Sequence, residues 1–414
     1  MICNFNENGV VCERMRRQDS PRCVFHSQDV PADDYLRDFR HLLNVKDGNW
    51  RGFQFPDGVQ LHGLEMPNKV DEAYARFRGS LDINECHFRE SVDFSHGAIG
   101  TTFRMTGTTF HNRFEARQFG FEGDVWWGAI VTGKADFSES VFRARAAFSG
   151  AFSEAIFAAC SFGDYTSFRG GWNRVIVPGA VAQRDEVMPL FVAGGSFEGV
   201  DFKRPERVSF AHVDLSKVRM TQADFSGVSF IGVQWPQIGR RQSLYDEKWI
   251  TETKAPEDQW RPRLESAYRN IRVSLESSKD FNTASDFYIG EMTARRKQLS
   301  RWRANLFSIP AVYRYSSRYG CAPGQAFCVL LGLLIAYALL WGAMHFRLGH
   351  CPPDEKMVVD VIKHGFWGLP ALRPPLTEDD WVGWSIIPGA ILRILILGQL
   401  ALCILSLRGR IKRG

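Results

Sequence analysis

Between Val208 and Trp235 the chain repeats every five residues, as VSFAH VDLSK VRMTQ ADFSG VSFIG VQW. Large apolar residues stand at Phe210, Leu215, Met220, Phe225, Phe230 and Trp235; two positions before each stands Val208, Val213, Val218, Ala223, Val228 or Val233. No single regular element puts these positions on one face. An α-helix turns by about 500° in five residues, so the large residues would drift by about 140° at each step. A straight strand puts residues five apart on opposite faces. A chain that turns a corner every five residues brings one large and one small apolar side chain inward on each side of a square coil. The pattern predicts a right-handed quadrilateral β-helix of roughly 20-residue coils stacked about 4.8 Å apart, with these positions as its core.

Earlier segments carry the same pattern less strictly. VDFSH at 92–96, ADFSE at 135–139, AIFAA at 155–159, CSFGD at 160–164 and VDFKR at 200–204 all fit. Phe94, Phe148 and Phe168 fall one residue off their neighbours' register, which points to insertions at corners. If 71–236 is all repeat, it makes roughly eight coils. Residues 171–191 break the pattern and read as a loop or irregular coil, and 50–68 as the N-terminal cap or first coils. Asp93, Asp136, Asp201, Asp214 and Asp224 are expected at corners facing solvent. Ser216, Ser226 and Thr221 suit hydroxyl-to-backbone bonds there.

After Trp235 the period lengthens. Leu264, Tyr268, Ile271 and Leu275 share one helical face, and Ala284, Phe287, Tyr288, Glu291 and Met292 suggest a second helix, with a turn at 277–282. Glu291 reads as a half-exposed salt bridge, the alternative being a paired interior carboxylate. The segment 300–320 mixes Arg with Trp, Phe and Tyr, as an interfacial elbow or a plain linker would. Cys321–Met344 then holds no charge and is long enough to span a bilayer, which needs about 20 residues. A second apolar run near 386–407 contains Arg393 and Gln399; an arginine there has to snorkel or face protein and water.

The organisation expected is therefore 1–30 a small Cys/His module, 31–70 linker and N-terminal cap, 71–236 repeat β-helix and 237–299 helical hairpin. An elbow (300–320), transmembrane helix 1 (321–345), an external loop (346–385), transmembrane helix 2 (386–407) and a basic tail (408–414) follow. Phe366 and Trp367 lie in a stretch, 366–372, that reads as a surface loop or as a segment re-entering the membrane.

Charge bears on partners. The chain carries a formal +5, but 71–236 holds 17 basic and 20 acidic side chains, a net of −3, whereas 237–320 holds 16 and 10, a net of +6. Arg408, Arg410, Lys412 and Arg413 add four more positive charges after the last apolar run. Positive charge that flanks apolar segments argues for anionic lipid and against a nucleic-acid partner. It places both termini on the cytoplasmic side of a two-pass protein in a bacterial-type inner membrane. No apolar stretch with a cleavage site is visible at the N-terminus.

Cys3, Cys12, Cys23 and His26 form C-x8-C-x10-C-x2-H, a donor set suited to tetrahedral structural Zn²⁺; unrelated thiols or a redox pair are the alternatives. The run at 128–135, GAIVTGKA, has the Gly and Lys spacing of a phosphate-binding loop. Ala135 stands where Ser or Thr is required, and the run lies within Phe-periodic sequence, so it is rejected.

The repeat at 208–235, VDLSK and ADFSG above all, resembles the pentapeptide-repeat family. The resemblance implies a quadrilateral β-helix that is commonly non-catalytic. The segments YRNIRVSLESSKDFNTASDFYIGEM and RILILGQLALCILSLRGRIKR resemble repeat proteins fused to a two-helix, potassium-channel-like domain. No Thr-x-Gly-Tyr-Gly filter occurs in the external loop, and selective conduction loses its carbonyl ring without one. The function expected is a non-enzymatic membrane scaffold, homo-oligomeric, contacting lipid and an unidentified protein partner. The alternative is an ion channel or channel-like sensor gated by the repeat domain.

Overall fold

A computed structural model describes residues 6–7, 10–11, 23, 25, 32–44, 53–55, 59–62, 70–71, 75–77, 79–170, 189–254, 256–298, 308–347 and 386–411. The chain forms two compact units, Met1–Glu291 and Met292–Gly414.

The first unit is a β-solenoid of short parallel strands. One face carries seven strands, beginning at Gln54, Arg76, Ala98, Gly120, Val141, Ser161 and Asp201; each pairs with the next at steps of 22, 22, 22, 21, 20 and 40 residues. The neighbouring face runs through Val59, Leu81, Phe103, Val125, Ala146, Thr166 and Val208, at steps of 22, 22, 22, 21, 20 and 42 residues. About six turns result rather than the eight coils expected, because the early coils take 22 residues and one coil takes 40. That long coil contains 171–188, which lies outside the described residues; Leu190 and Phe191 are already back in the core, with Phe191 paired to Phe152. Of the two readings for 50–68, cap or first coils, the structure shows coil strands at Gln54–Phe55 and Val59–His62.

Inside, the large side chains stack in columns that cross coils. Phe121, Phe142 and Phe162 follow one another at 4.5 and 4.6 Å between ring centroids, and Phe148, Phe168 and Phe210 at 5.0 and 4.8 Å. Trp127 fills the corresponding place one coil before Phe148 and is fully buried. The small inward positions let the coils close: a Cβ on Gly150 would sit 1.8 Å from the Ala129 carbonyl oxygen.

The predicted core positions from Val208 to Trp235 are buried except Val233, which is half-exposed in the last coil. The corners differ from expectation in their chemistry. The aspartates, not the serine hydroxyls, make the local bonds: the backbone N–H groups of Ser95, Ser216 and Ser226 donate to Asp93, Asp214 and Asp224 at 2.8, 2.8 and 2.9 Å. A carboxylate two residues back satisfies the corner amide, and the buried Ser95 hydroxyl accepts instead from the Arg117 N–H of the next coil at 3.2 Å.

Contrary to the solvent-facing position expected for it, Asp136 is buried. Arg117 Nη2 donates to it at 2.7 Å, the Ser138 amide at 3.1 Å and the Ser138 hydroxyl at 2.5 Å. Burial alone would raise its pKa, but the Ser138 bonds and the Arg117 charge hold the carboxyl below the usual range. Its stabilising contribution is therefore present above the unfolded value of about 3.9 and is lost as pH falls through the lower folded value. Asp136→Asn is expected to raise hydrogen exchange around 116–138 at pH 7 and to show little further change on acidification, where the parent chain weakens.

Both ends are covered. Before the first coil, helix α1 (Ala32–Asn44) buries Tyr35 and Phe39, and Phe25 stacks on Phe53 at 4.6 Å while meeting Tyr35 edge-on. After the last coil come α2 (Tyr245–Thr253), α3 (Glu257–Ser277) and α4 (Phe281–Lys297). The expected hairpin is the α3–α4 pair; α2 and the small antiparallel ladder Gln237–Ile238 with Arg241–Gln242 are additions to it.

Along this wall each coil's N–H groups donate to carbonyls of the next, as Phe197 does to Arg219 at 2.8 Å. At the end the buried Asp246 carboxylate of α2 substitutes for a further coil, accepting from Met220 N–H at 2.9 Å, Thr221 N–H at 3.3 Å and Thr221 Oγ1 at 2.9 Å. The Ser274 hydroxyl of α3 donates to the Phe225 carbonyl at 2.8 Å, and Phe287 of α4 packs edge-on against Trp235 at 4.8 Å. An edge of unpaired strands is closed in this way. Glu291 is the interior carboxylate of the two readings, 7 % exposed, accepting from Arg269 Nε at 3.0 Å and Arg272 Nε at 2.9 Å.

In the second unit α5 (Ile309–Ser317) is capped by Ser308, whose hydroxyl accepts from Ala311 N–H at 3.2 Å. The elbow region is thus helical over 309–317. Helices α6 (Pro323–Arg347) and α7 (Ile386–Ile411) follow, each running past the expected ends of the spans, so Arg408 and Arg410 continue α7 instead of forming a separate tail. Windows within both, Pro323–Leu340 and Ile391–Arg408, are long and apolar enough to cross a membrane. Ala326, Leu330, Tyr337, Ile396 and Cys403 form the buried seam of α6 and α7.

Candidate functional surfaces

The solenoid offers its outward side chains in columns one coil apart. One corner is left-handed in coil after coil: His96, Gln118, Glu139, Ala159, Gly199 and Gln222 have φ of 62°, 52°, 63°, 55°, 69° and 66°. This conformation costs a non-glycine residue roughly 1–2 kcal/mol, and the ladder on either side holds it in place. Four of the six residues on this ridge are polar, and Gln118 donates to Glu139 at 2.6 Å. Much of the remaining exterior is paired within itself: Arg113 with Glu115 at 2.7 Å, Arg143 with Glu122 at 2.8 Å, Arg207 with Asp164 at 2.8 Å. Near the C-terminal cap, Arg219 contacts Glu198 at 2.6 Å and lies over the rings of Trp249 (4.0 Å) and Trp260 (5.4 Å), tying the last coils to α2 and α3.

Cys160 is buried with its Sγ 2.8 Å from the Phe137 carbonyl, and burial pushes the thiol far above its usual range. The rejected phosphate-loop sequence at 128–135 lies within the strand Val125–Asp136, with no helix following it. Of the proposed zinc ligands, Cys23 is buried, while Cys3, Cys12 and His26 lie outside the described residues. Among the described residues no His, Cys, Asp and Glu side chains cluster as a metal site.

In the second unit Arg393 and Gln399 of the second apolar run face protein. The Arg393 Nε and Nη2 groups donate to the Tyr337 hydroxyl at 2.9 and 2.5 Å. Gln399 is buried, and its Nε2 donates to the Ser316 carbonyl at 3.1 Å and the Ala326 carbonyl at 2.8 Å, joining α5, α6 and α7. Such bonds between apolar helices are each worth about 1 kcal/mol. Phe327, Leu331, Ile335 and Leu339 of α6 and Ile391, Ile394, Leu395 and Ile404 of α7 are exposed apolar side chains on the outside of the pair. Phe366 and Trp367 lie outside the described residues. Gln399→Leu is expected to lower the thermal stability of this unit in detergent by about 1–2 kcal/mol, read as a lower melting temperature; an unchanged melt would remove the bond from the helix packing.

Sequence reasoning missed Tyr337, Ser316 and Asp246. Tyr337 had a readable signal, as the one hydroxyl-bearing aromatic in the first apolar run and hence a natural partner for an arginine in the second. Asp246 had none, because what makes it a cap is its position under a coil end 26 residues away.

These features define a class, a capped β-solenoid followed by helices, two of which are fit to cross a bilayer. Residues 206–234 match the family model described as Pentapeptide repeats (8 copies), which is what this part of the solenoid is similar to. The match does not extend to the C-terminal helices. No curated protein and no solved structure matches the chain.

Proposed function

We propose that the protein is a non-enzymatic scaffold, held in a membrane by α6 and α7 and presenting its solenoid to a protein partner on the cytoplasmic side. The observation that carries this reading is the pairing of a long, end-capped solenoid with two helices whose outward residues are apolar. A capped stack has no growing edge, so its remaining capacity for recognition lies on its lateral columns. The basic residues before α6 and at the end of α7 favour the cytoplasmic placement.

Arg393 and Gln399 fit a packing role, because the bonds described here run to Tyr337, Ser316 and Ala326. Reconstitution into liposomes with an ion-flux readout separates scaffold from channel. The expected result is flux equal to that of protein-free liposomes; reproducible conductance abolished by Arg393→Gln would overturn the scaffold reading.

A further inference from the structure

One lateral face of the solenoid departs from the self-paired exterior. Arg104, Trp126, Ala147 and Ser167 occupy one outward column in four successive coils. Beside it, at the corner just before Val125, Ala146 and Thr166, stand Asp124, Arg145 and Tyr165. The Arg145 guanidinium lies 5.6 Å from the Trp126 ring centroid and 5.7 Å from that of Tyr165, so rings from the coils on either side flank it. Its backbone N–H donates to Asp124 at 3.2 Å, which fixes the corner from which the side chain extends.

Trp126 is 37 % and Tyr165 44 % exposed, although the interior takes nearly every other large ring of these coils. Arg143 and Arg207 are bound to carboxylates, whereas Arg145 has no ion pair among the described residues; Arg104 and Arg169, exposed on the same face, have none either.

A planar guanidinium held by two rings keeps its N–H edge for bidentate bonding to a carboxylate, and little side-chain entropy remains to be lost on binding. Ala147, Ser167 and Ser209 supply small, half-buried outward positions beside the stripe, leaving room for a chain to lie along it. From the coil of Arg104 to that of Arg169 is three coil steps, about 14 Å, the length of roughly four extended residues.

We infer that this face is the recognition surface of the scaffold, and that it takes an extended, acidic segment of a partner protein, one of whose carboxylates seats on Arg145. The inference rests on the scaffold reading. It favours peptide over nucleic acid because Asp124 stands on the same corner line as Arg145, one coil before it, where a continuous phosphate backbone would meet it, whereas a peptide can place an uncharged residue there.

The test uses the full chain in nanodiscs and a fluorescein-labelled Glu/Ser peptide of about twelve residues, longer than the stripe when extended, with a Gln/Ser peptide and an oligothymidylate of similar length as comparisons. Saturable anisotropy is expected for the Glu/Ser peptide alone. It should weaken at least about tenfold with Arg145→Gln and several-fold with Trp126→Ala. Arg145→Lys, which keeps charge but loses the fork, should fail to restore it, and Arg143→Gln should leave it unchanged. Absence of saturable binding, binding indifferent to Arg145→Gln, or tighter Arg145-dependent binding of the oligothymidylate would overturn the inference. The scaffold reading fails separately. Photo-crosslinks to a partner from another solenoid face, undiminished by Arg145→Gln, would sink the clamp and leave the scaffold standing, whereas conductance in liposomes would sink the scaffold itself.

Discussion

Asp246→Ala is expected to open the C-terminal end of the solenoid. The substitution leaves the Met220 and Thr221 amides and the Thr221 hydroxyl facing an apolar gap under the last coils. A buried donor left unsatisfied costs about 1–3 kcal/mol, so a loss of about 3–5 kcal/mol is expected locally. Stacked coils couple mainly to their neighbours, so the loss concentrates at one end. Hydrogen exchange should accelerate for amides in 213–235 and change little for those near 98–121. Uniform acceleration, or none, would remove Asp246 from the cap.

The same carboxyl carries a pH signature. Burial raises its pKa, and the bonds from Met220 and Thr221 with the Arg219 charge only partly offset this. The folded chain keeps this proton to higher pH than the unfolded chain does. The group's contribution is therefore complete below the unfolded value of about 3.9 and is lost as pH rises through the folded value. Asp136 works in the opposite sense at the middle of the rod. Asp246→Asn, which retains an acceptor, should abolish the pH dependence at the C-terminal end while costing less than the alanine.

Phe157→Ala should be the most damaging single change within the stack. Its ring lies 4.9 Å from Phe137, 5.1 Å from Phe148 and 5.1 Å from Phe197, so it joins three successive coils. It is fully buried between coils that cannot collapse around a hole without breaking their own ladders. Truncation of a buried Phe costs about 3–5 kcal/mol. Phe230→Ala, in the terminal strand of its sheet where no further coil stacks on the ring, should cost less. Chemical denaturation followed by far-ultraviolet circular dichroism compares the two, and equal losses would contradict the picture of a stack braced at its centre.

The solenoid was legible because its cause is periodic: from Val208 to Trp235 the spacing alone names the inward residues, and all but Val233 are buried. Legibility fell where coils lengthened to 22 residues, since one or two extra residues at a corner shift the period without changing which side chains face in. The polar devices were harder. Asp136 looked like any other corner aspartate and is buried because Arg117 and Ser138 surround it. Glu291 needed Arg269 and Arg272, 22 and 19 residues away, to become an interior group. The Arg145 clamp escaped notice for the same reason, since Trp126, Arg145 and Tyr165 adjoin only after two turns of coiling. Contacts made by a periodic backbone can be counted along the chain; contacts made between side chains on different coils depend on the register, which corner insertions set.

The most direct measurement is site-specific photo-crosslinking from outward solenoid positions in intact membranes, with Ser167 beside the clamp and Thr109 on another face as the two probe sites. A membrane-anchored scaffold predicts a discrete adduct with a second protein from Ser167, recovered in the carbonate-resistant membrane fraction and lost when α6 and α7 are deleted. A chain that remains in the membrane fraction yet gives no adduct from either position, or one found in the soluble fraction with both helices intact, would contradict it.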